Sequence, residues 1–284
     1  MSVATNPIIE DRRSNPVNGR TTAFRIQQTN AIAETYSDLN TTFCDSYDSL
    51  LACLRDTITS EGSRLFGQSF RVEKSAIGKV EGDAYELLTA AHLWNHMSEG
   101  PFIPLKLPRG FDFTQLLRDE HRQELQDENA RLRTAGLDPL ALSTPDIVGV
   151  NRFGSAPSSK IDNLSLRSQL EIEGAYRAYL GRLSPDDVRF AVAIKRSIRS
   201  DRLYQPIYEA EAMKFLLGML GSCGQLDFIV QLGSYDGANV VKHFGAPSMV
   251  SLARGIREKA VDHVYCPRSP QETCAELDSR LYHM

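Results

Sequence analysis

An unbroken apolar run, Ala191-Val192-Ala193-Ile194, ends on Lys195, and that combination restricts the possible fold more than any other stretch of the chain. Apolar residues in succession, rather than in alternation, suit a strand buried inside a sheet. A lysine closing such a strand is costly to bury unless a negative group meets it. Three arginines and one aspartate then crowd into Arg196-Ser197-Ile198-Arg199-Ser200-Asp201-Arg202. Upstream, Thr144-Pro145-Asp146-Ile147-Val148 sets a carboxylate at the mouth of another strand. If the two strands pair, Asp146 is the natural neighbour of Lys195.

The remaining pattern supplies more strands and the helices to cover them. Strands are expected at 145–150, at 189–196, in Leu226-Asp227-Phe228-Ile229-Val230, and in the alternating Val261-Asp262-His263-Val264-Tyr265. A further candidate, 239–244, follows the glycine-rich 232–237. Prolines hold Phe102-Ile103-Pro104-Leu105-Lys106-Leu107-Pro108 extended. Helical spacing shows at 45–62 through Tyr47, Leu50, Leu51, Leu54 and Ile58. It also shows at 83–97, opening just after Gly82, and at 112–134, 166–181 and 269–281. Another helix is expected to start near Pro206, with Ala210, Met213, Leu217 and Leu220 on its apolar face. The mixture specifies an α/β or α+β architecture around a central sheet. Residues 1–29 read as a polar arm, loosely ordered or bound to a partner, and 30–284 as a single domain.

Bulk properties narrow the chemistry. No apolar run reaches membrane-spanning length, and the N-terminus lacks the layout of a signal peptide, so no membrane partner is expected. The five cysteines form no CxxC pair, and the six histidines show no zinc-binding spacing. A formal charge of −4 argues against a general coat of positive charge. The charge is instead concentrated: 189–202 holds Arg189, Lys195, Arg196, Arg199 and Arg202 against Asp201 alone. A solvated surface turn would show the same cluster, but so would a local cleft for phosphates.

Cutting a phosphodiester in water needs an aligned nucleophile, relief of charge on the phosphate, and a stabilised leaving oxygen. Mg²⁺ supplies all three and prefers hard carboxylate oxygens. Asp146 suits such an ion, although an aspartate there can also merely cap a turn. Lys195 suits polarisation of the phosphate or orientation of the attacking water, and its alternative is a stem that reaches out of the sheet edge. A carboxylate two residues before the lysine would share its strand face, but that position is Ala193. Glu209, early in the helix that follows the basic segment, is the best replacement. Glu211 competes with it, and either can be a helix-surface glutamate favoured by the dipole. Glu86 lies on a helix that is apolar nearly all round, so it is expected to face protein or the site. Glu81 is less attractive, because it precedes the expected helix start.

With these residues in place, the chain resembles the type II restriction endonucleases of the PD-(D/E)XK nuclease superfamily, in the group that cuts hexanucleotide sites with a CCGG core. The matching pieces are Gly82-Asp83-Ala84-Tyr85-Glu86, Thr144-Pro145-Asp146, and the block from Lys195 through Arg199, Asp201 and Arg202 to Glu209. A lone Pro-Asp is a weak signal, whereas the spacing of charges from Lys195 to Glu209 has no generic structural reason. The similarity spans about 40–265 and leaves out the N-terminal arm. It implies a restriction-endonuclease-like fold, a central mixed five-stranded sheet flanked by helices. It implies that Asp146 and Glu209 ligate Mg²⁺, that Lys195 is the catalytic lysine, and that Glu86 sits in the outer part of the site. Arg199, Asp201 and Arg202 would read the CCGG core. Their chemistry agrees, since arginine forks to guanine and aspartate accepts from cytosine.

The resemblance further implies cleavage of double-stranded DNA at a palindromic CCGG-centred site, with RCCGGY first among them, leaving four-base 5′ overhangs. It implies a homodimer or homotetramer, a functionally paired DNA methyltransferase, and a cytoplasmic place in a prokaryotic cell. Two-fold related half-sites give a physical reason for at least two copies of the reader. Three rival functions remain at this point. A structure-selective repair or recombination nuclease of the same fold would have little use for the Arg199-Asp201-Arg202 reader. A non-catalytic DNA-binding protein would have lost one of Glu86, Asp146, Lys195 or Glu209, and a protein-interaction domain would lack salt-dependent DNA affinity.

Overall fold

The strands expected at 145–150, 189–196, 226–230 and 261–265, with the extended segment 102–108, lie in one sheet, and the order of strands in that sheet positions the charged residues. The structure, a computed structural model, describes residues 8–11, 24–39, 46–67, 70, 72–140, 143–153, 160–161, 163–196, 204–222, 226–234 and 243–281. In chain order the elements are β1 (Ile9–Asp11), β2 (Phe24–Ile26), α1 (Gln28–Leu39), α2 (Tyr47–Phe66), α3 (Lys74–His96), β3 (Phe102–Lys106) and α4 (Asp119–Thr134). There follow β4 (Ile147–Asn151), α5 (Leu166–Gly174), β5 (Val188–Lys195), α6 (Tyr204–Met219), β6 (Asp227–Leu232), α7 (Met249–Ala253), β7 (His263–Tyr265) and α8 (Pro270–Leu281).

The chain divides into two compact units. The first is drawn from 1–92, 160–171 and 268–284, the second from 93–159 and 172–267. Neither is continuous in sequence, so no shift of composition marks a boundary, and the single domain read over 30–284 contains a division that a linear pass does not reveal.

In the first unit, β1 and β2 pair antiparallel, with Ile9 opposite Ile26. Ile8, Ile9, Phe24 and Ile26 are buried, and the Phe24 ring lies 4.6 Å from that of Phe66. The arm expected over 1–29 therefore includes an ordered ribbon. Ser46 caps α2 by accepting from the Ser49 N–H. The Tyr47 hydroxyl bonds both Thr89 (3.2 Å) and Thr273 (2.9 Å), tying α2 to α3 and α8. Helix α3 starts at Lys74, two turns before the start expected after Gly82. Two glycines inside it, Gly78 and Gly82, weaken the pattern by about 1 kcal/mol each, and tertiary anchors override them. Val80 is buried, and Glu81, 3% exposed, receives Arg55 Nε at 3.1 Å and Nη2 at 2.5 Å. Glu81 thus lies within the helix in a fixed ion pair, not ahead of it.

The second unit holds the five-stranded sheet in the order β3-β4-β5-β6-β7. The pairs β3–β4 and β4–β5 are antiparallel, while β5–β6 and β6–β7 are parallel, so the sheet is mixed. Gly149 on β4 faces Phe190 on β5, and a Cβ at that position would fall inside the phenyl ring. Glycine there lets a fully buried aromatic side chain lie flat across its neighbour strand. Helix α6 begins at Tyr204, which makes Pro206 its third residue and not its first. That place is still harmless, because first-turn N–H groups have no partner within the helix. Lys214 of α6 reaches Asp262 at 2.8 Å, and that carboxylate also accepts from Phe228 N at 2.7 Å. The expected helix over 112–134 is a 3₁₀ turn (Phe113–Leu116) followed by α4. That over 166–181 is α5 continued by a 3₁₀ segment to Tyr179. Of the strand candidate 239–244, His243 and Phe244 are helical, and 239–242 lie outside the described residues.

Candidate active site

Antiparallel pairing brings the start of β4 beside the end of β5, with Ile147 opposite Val192. Asp146, one residue before β4, still belongs to the ladder. Its N–H donates to Val192 O at 3.1 Å, and its carbonyl accepts from Leu107 N at 3.0 Å. Its side chain then extends the ladder by one rung. Oδ2 accepts the Ile194 N–H at 2.6 Å and faces Lys195 Nζ at 3.5 Å. The carboxylate is fixed by the backbone of the strand that ends in the lysine, through a charge-assisted bond. Both side chains remain partly open, 17% exposed for Asp146 and 26% for Lys195. Ala193 shares the Lys195 face by the two-residue period of a strand, and it is fully buried.

The carboxylate absent at Ala193 is present on α6. Glu209 is 7% exposed, its Oε1 accepts Gln205 Nε2 at 2.8 Å, and its buried Oε2 has no hydrogen-bond partner among the described residues. Burial pushes this carboxyl above the usual carboxylate range. The Lys195 charge and the Gln205 donor pull it back, and the negative charge of Asp146 pushes it further up. Lys195 and Asp146 both act on Glu209, so the three charged groups form one site. Glu211, its competitor, is committed elsewhere. Its carboxylate accepts from Ser248 Oγ (3.0 Å), Met249 N (2.8 Å) and Val250 N (3.2 Å) at the start of α7. Where β5 ends, Gly233 N donates to Lys195 O at 2.9 Å, and a Cβ on Gly233 would lie 2.6 Å from Arg196 O. Only a glycine lets β6 pass so close to the exit of β5.

The structure therefore brings together Asp146, Lys195 and Glu209. Glu86 is half-buried on α3 within the first unit. Arg199, Asp201 and Arg202 lie outside the described residues, in the stretch that joins the end of β5 to the start of α6. Sequence reasoning passed over Gln205, although glutamine four residues before a glutamate on one helix is a recognisable pairing. Among the described residues no three His, Cys, Asp or Glu side chains form a closed cage for a metal. Two carboxylates with a spare buried oxygen fit a hard divalent ion that keeps its waters and takes further oxygens from a phosphate. They do not fit a structural zinc site.

A mixed five-stranded sheet with flanking helices gives this chain the fold of restriction endonucleases. It is similar to the solved Bse634I restriction endonuclease, with a TM-score of 0.84 over 97% of each chain at 20% identity. It is similar also to type IIF restriction endonuclease Bse634I solved with cognate DNA, with a TM-score of 0.82 over 98% of this chain and 99% of that one, again at 20% identity. In sequence, the family model of the Cfr10I/Bse634I restriction endonucleases matches residues 8–284, and the chain belongs to that family. The type II restriction enzyme Cfr10I of Citrobacter freundii is 26% identical over 190 residues. That alignment covers 63% of this chain and spans 64% of the relative's length. The family match starts at residue 8, so it takes in the arm that the sequence motifs left out.

Proposed function

We propose that this protein is a type II endonuclease that hydrolyses both strands of DNA at a palindromic CCGG-centred site, RCCGGY first, leaving four-base 5′ overhangs. The observation that carries the chemistry is the grouping of Asp146, Lys195 and Glu209, with one buried Glu209 oxygen left without a partner. Asp146 and Glu209 would hold Mg²⁺, which supplies charge relief at the phosphate and acidifies water. Lys195 would then add a positive charge beside the scissile phosphate, and its ammonium would donate a hydrogen bond that orients the attacking water. The bond from Ile194 N keeps the Asp146 carboxylate from turning toward the lysine alone. Glu86 is assigned to the outer part of the site, where it would order water.

Arg199, Asp201 and Arg202 are assigned to the CCGG core, on the chemistry of their side chains and their place between Lys195 and Glu209. The relative solved with cognate DNA supports duplex DNA as the partner. A palindrome calls for a homodimer or homotetramer, and a nuclease of this kind in a prokaryotic cytoplasm calls for a methyltransferase that protects the host DNA. No helix among the described residues is long and apolar enough to cross a membrane.

The test is a comparison of wild type and Arg202→Ala on short duplexes, one with the CCGG core and one scrambled. Wild type cuts only the first, and only until the metal is chelated. Arg202→Ala loses about 1–3 kcal/mol of discrimination in binding measured by fluorescence anisotropy without metal. Cleavage that survives chelation would refute the metal assignment. An unchanged ratio of affinities for the two duplexes would refute the reader.

A further inference from the structure

We infer that Gln205 is a positioning residue for the metal site, holding Glu209 so that Oε2 is the oxygen offered to the ion. The inference rests on the proposed reading of Glu209 as a ligand. A buried carboxylate with no donor on either oxygen is free to rotate or to take up a proton, and both responses compete with a metal. Gln205 removes that freedom at one oxygen. It lies one helical turn before Glu209 on α6, and its exposed side chain bends back so that Nε2 donates to Oε1 at 2.8 Å. The other oxygen, Oε2, is the one without a partner among the described residues, and it belongs to a carboxylate that feels both Asp146 and Lys195.

The residue type matters as much as the distance. A lysine or arginine at 205 would neutralise Glu209 and hold the carboxylate as an ion pair against the metal. An amide fixes the direction of the group and leaves its charge. Gln205 is also the second residue of α6, one residue beyond the stretch 197–203 that carries Arg199, Asp201 and Arg202. The residue that orients the ligand is thereby joined, through one intervening tyrosine, to the segment assigned to the bases.

The experiment measures Mn²⁺ binding by electron paramagnetic resonance to the complex of the full chain with a CCGG duplex whose scissile linkage cannot be hydrolysed. Gln205→Ala and the length-preserving Gln205→Met are compared with Glu209→Ala and with Gln205→Ala/Glu209→Ala. Position 205 is an exposed helix position, so both substitutions keep the fold, which circular dichroism checks. Each Gln205 variant weakens Mn²⁺ binding by about tenfold, and the double variant binds no more weakly than Glu209→Ala alone. On a cleavable duplex, the Mg²⁺ concentration for half-maximal rate rises by more than the rate at saturating metal falls. Unchanged Mn²⁺ affinity in both Gln205 variants, or an equal loss from Gln205→Ala with and without Glu209, would overturn the inference while the ligand reading stood. Wild-type Mn²⁺ affinity in Glu209→Ala would instead overturn the reading on which the inference rests.

Discussion

Asp146→Ala loses metal-dependent cleavage, by at least about 1,000-fold in single-turnover rate, and still binds its duplex as tightly as wild type or more so. Several kcal/mol of charge stabilisation at the phosphate depend on the ligand set, and about 1.4 kcal/mol is worth a factor of ten. Removing one negative charge from beside the phosphates does not weaken binding and relieves repulsion. Asp146 has a second task, however, because Oδ2 accepts the Ile194 N–H. The alanine variant leaves that donor without its acceptor, at a cost of about 1–3 kcal/mol in stability. Asp146→Asn separates the two roles. Its amide oxygen can keep the Ile194 bond while the charge is gone, so it melts close to wild type and fails to cut. An asparagine variant that cleaves at the wild-type rate would remove Asp146 from the ligand set.

The second large effect is on stability. Lys214→Met is destabilised by about 3–5 kcal/mol at neutral pH, because it strands a buried carboxylate. The pair is well shielded, with side chains 8% exposed for Lys214 and 10% for Asp262. Lys214 also donates to Lys259 O at 2.7 Å, and Asp262 binds Phe228 N, so the pair anchors β6 to the segment that enters β7. Burial already pushes the Asp262 carboxyl above its ordinary range, with Lys214 and the Phe228 N–H pulling the other way. Loss of the lysine raises it further. A carboxyl raised in the folded state favours folding when protonated, and the benefit is lost as pH rises through the folded value. The deficit of Lys214→Met therefore shrinks toward the ordinary aspartate pKa of about 4 and grows from there toward neutrality. Urea unfolding at pH 4.5 and 7.5 measures it. A variant equally stable at both pH values, relative to wild type, would show that the pair contributes nothing through its charge.

What the sequence made readable follows from where its signals are local. The end of β5 was legible because Ala191–Ile194 is apolar without interruption and Lys195 breaks the run. Asp146 was legible because proline and two β-branched residues bracket it, and antiparallel pairing then made it a neighbour of the lysine. The sequence favours Glu209 but leaves Glu211 as its competitor, since both lie on the same helix two residues apart. The contact that sets Glu211 apart, its capping of α7, is 37 residues distant in the chain. The start of α3 was missed because Gly78 and Gly82 mask a helix that Val80 and the Arg55–Glu81 pair hold together. The division into two units was invisible because the first is stitched from three separate stretches. Gln205 shows in the sequence only as a glutamine one helical turn before a glutamate, a pairing that gains weight once Glu209 is known to be buried.

Sequencing the ends produced by digesting a plasmid of known sequence in Mg²⁺ tests the central claim most directly. Discrete ends with four-base 5′ overhangs at every CCGG-centred hexamer of one type, and none once the metal is chelated, are the expected result. Ends scattered without regard to the CCGG core, or cutting that follows branched or mismatched structure, would contradict the account of a sequence-reading nuclease.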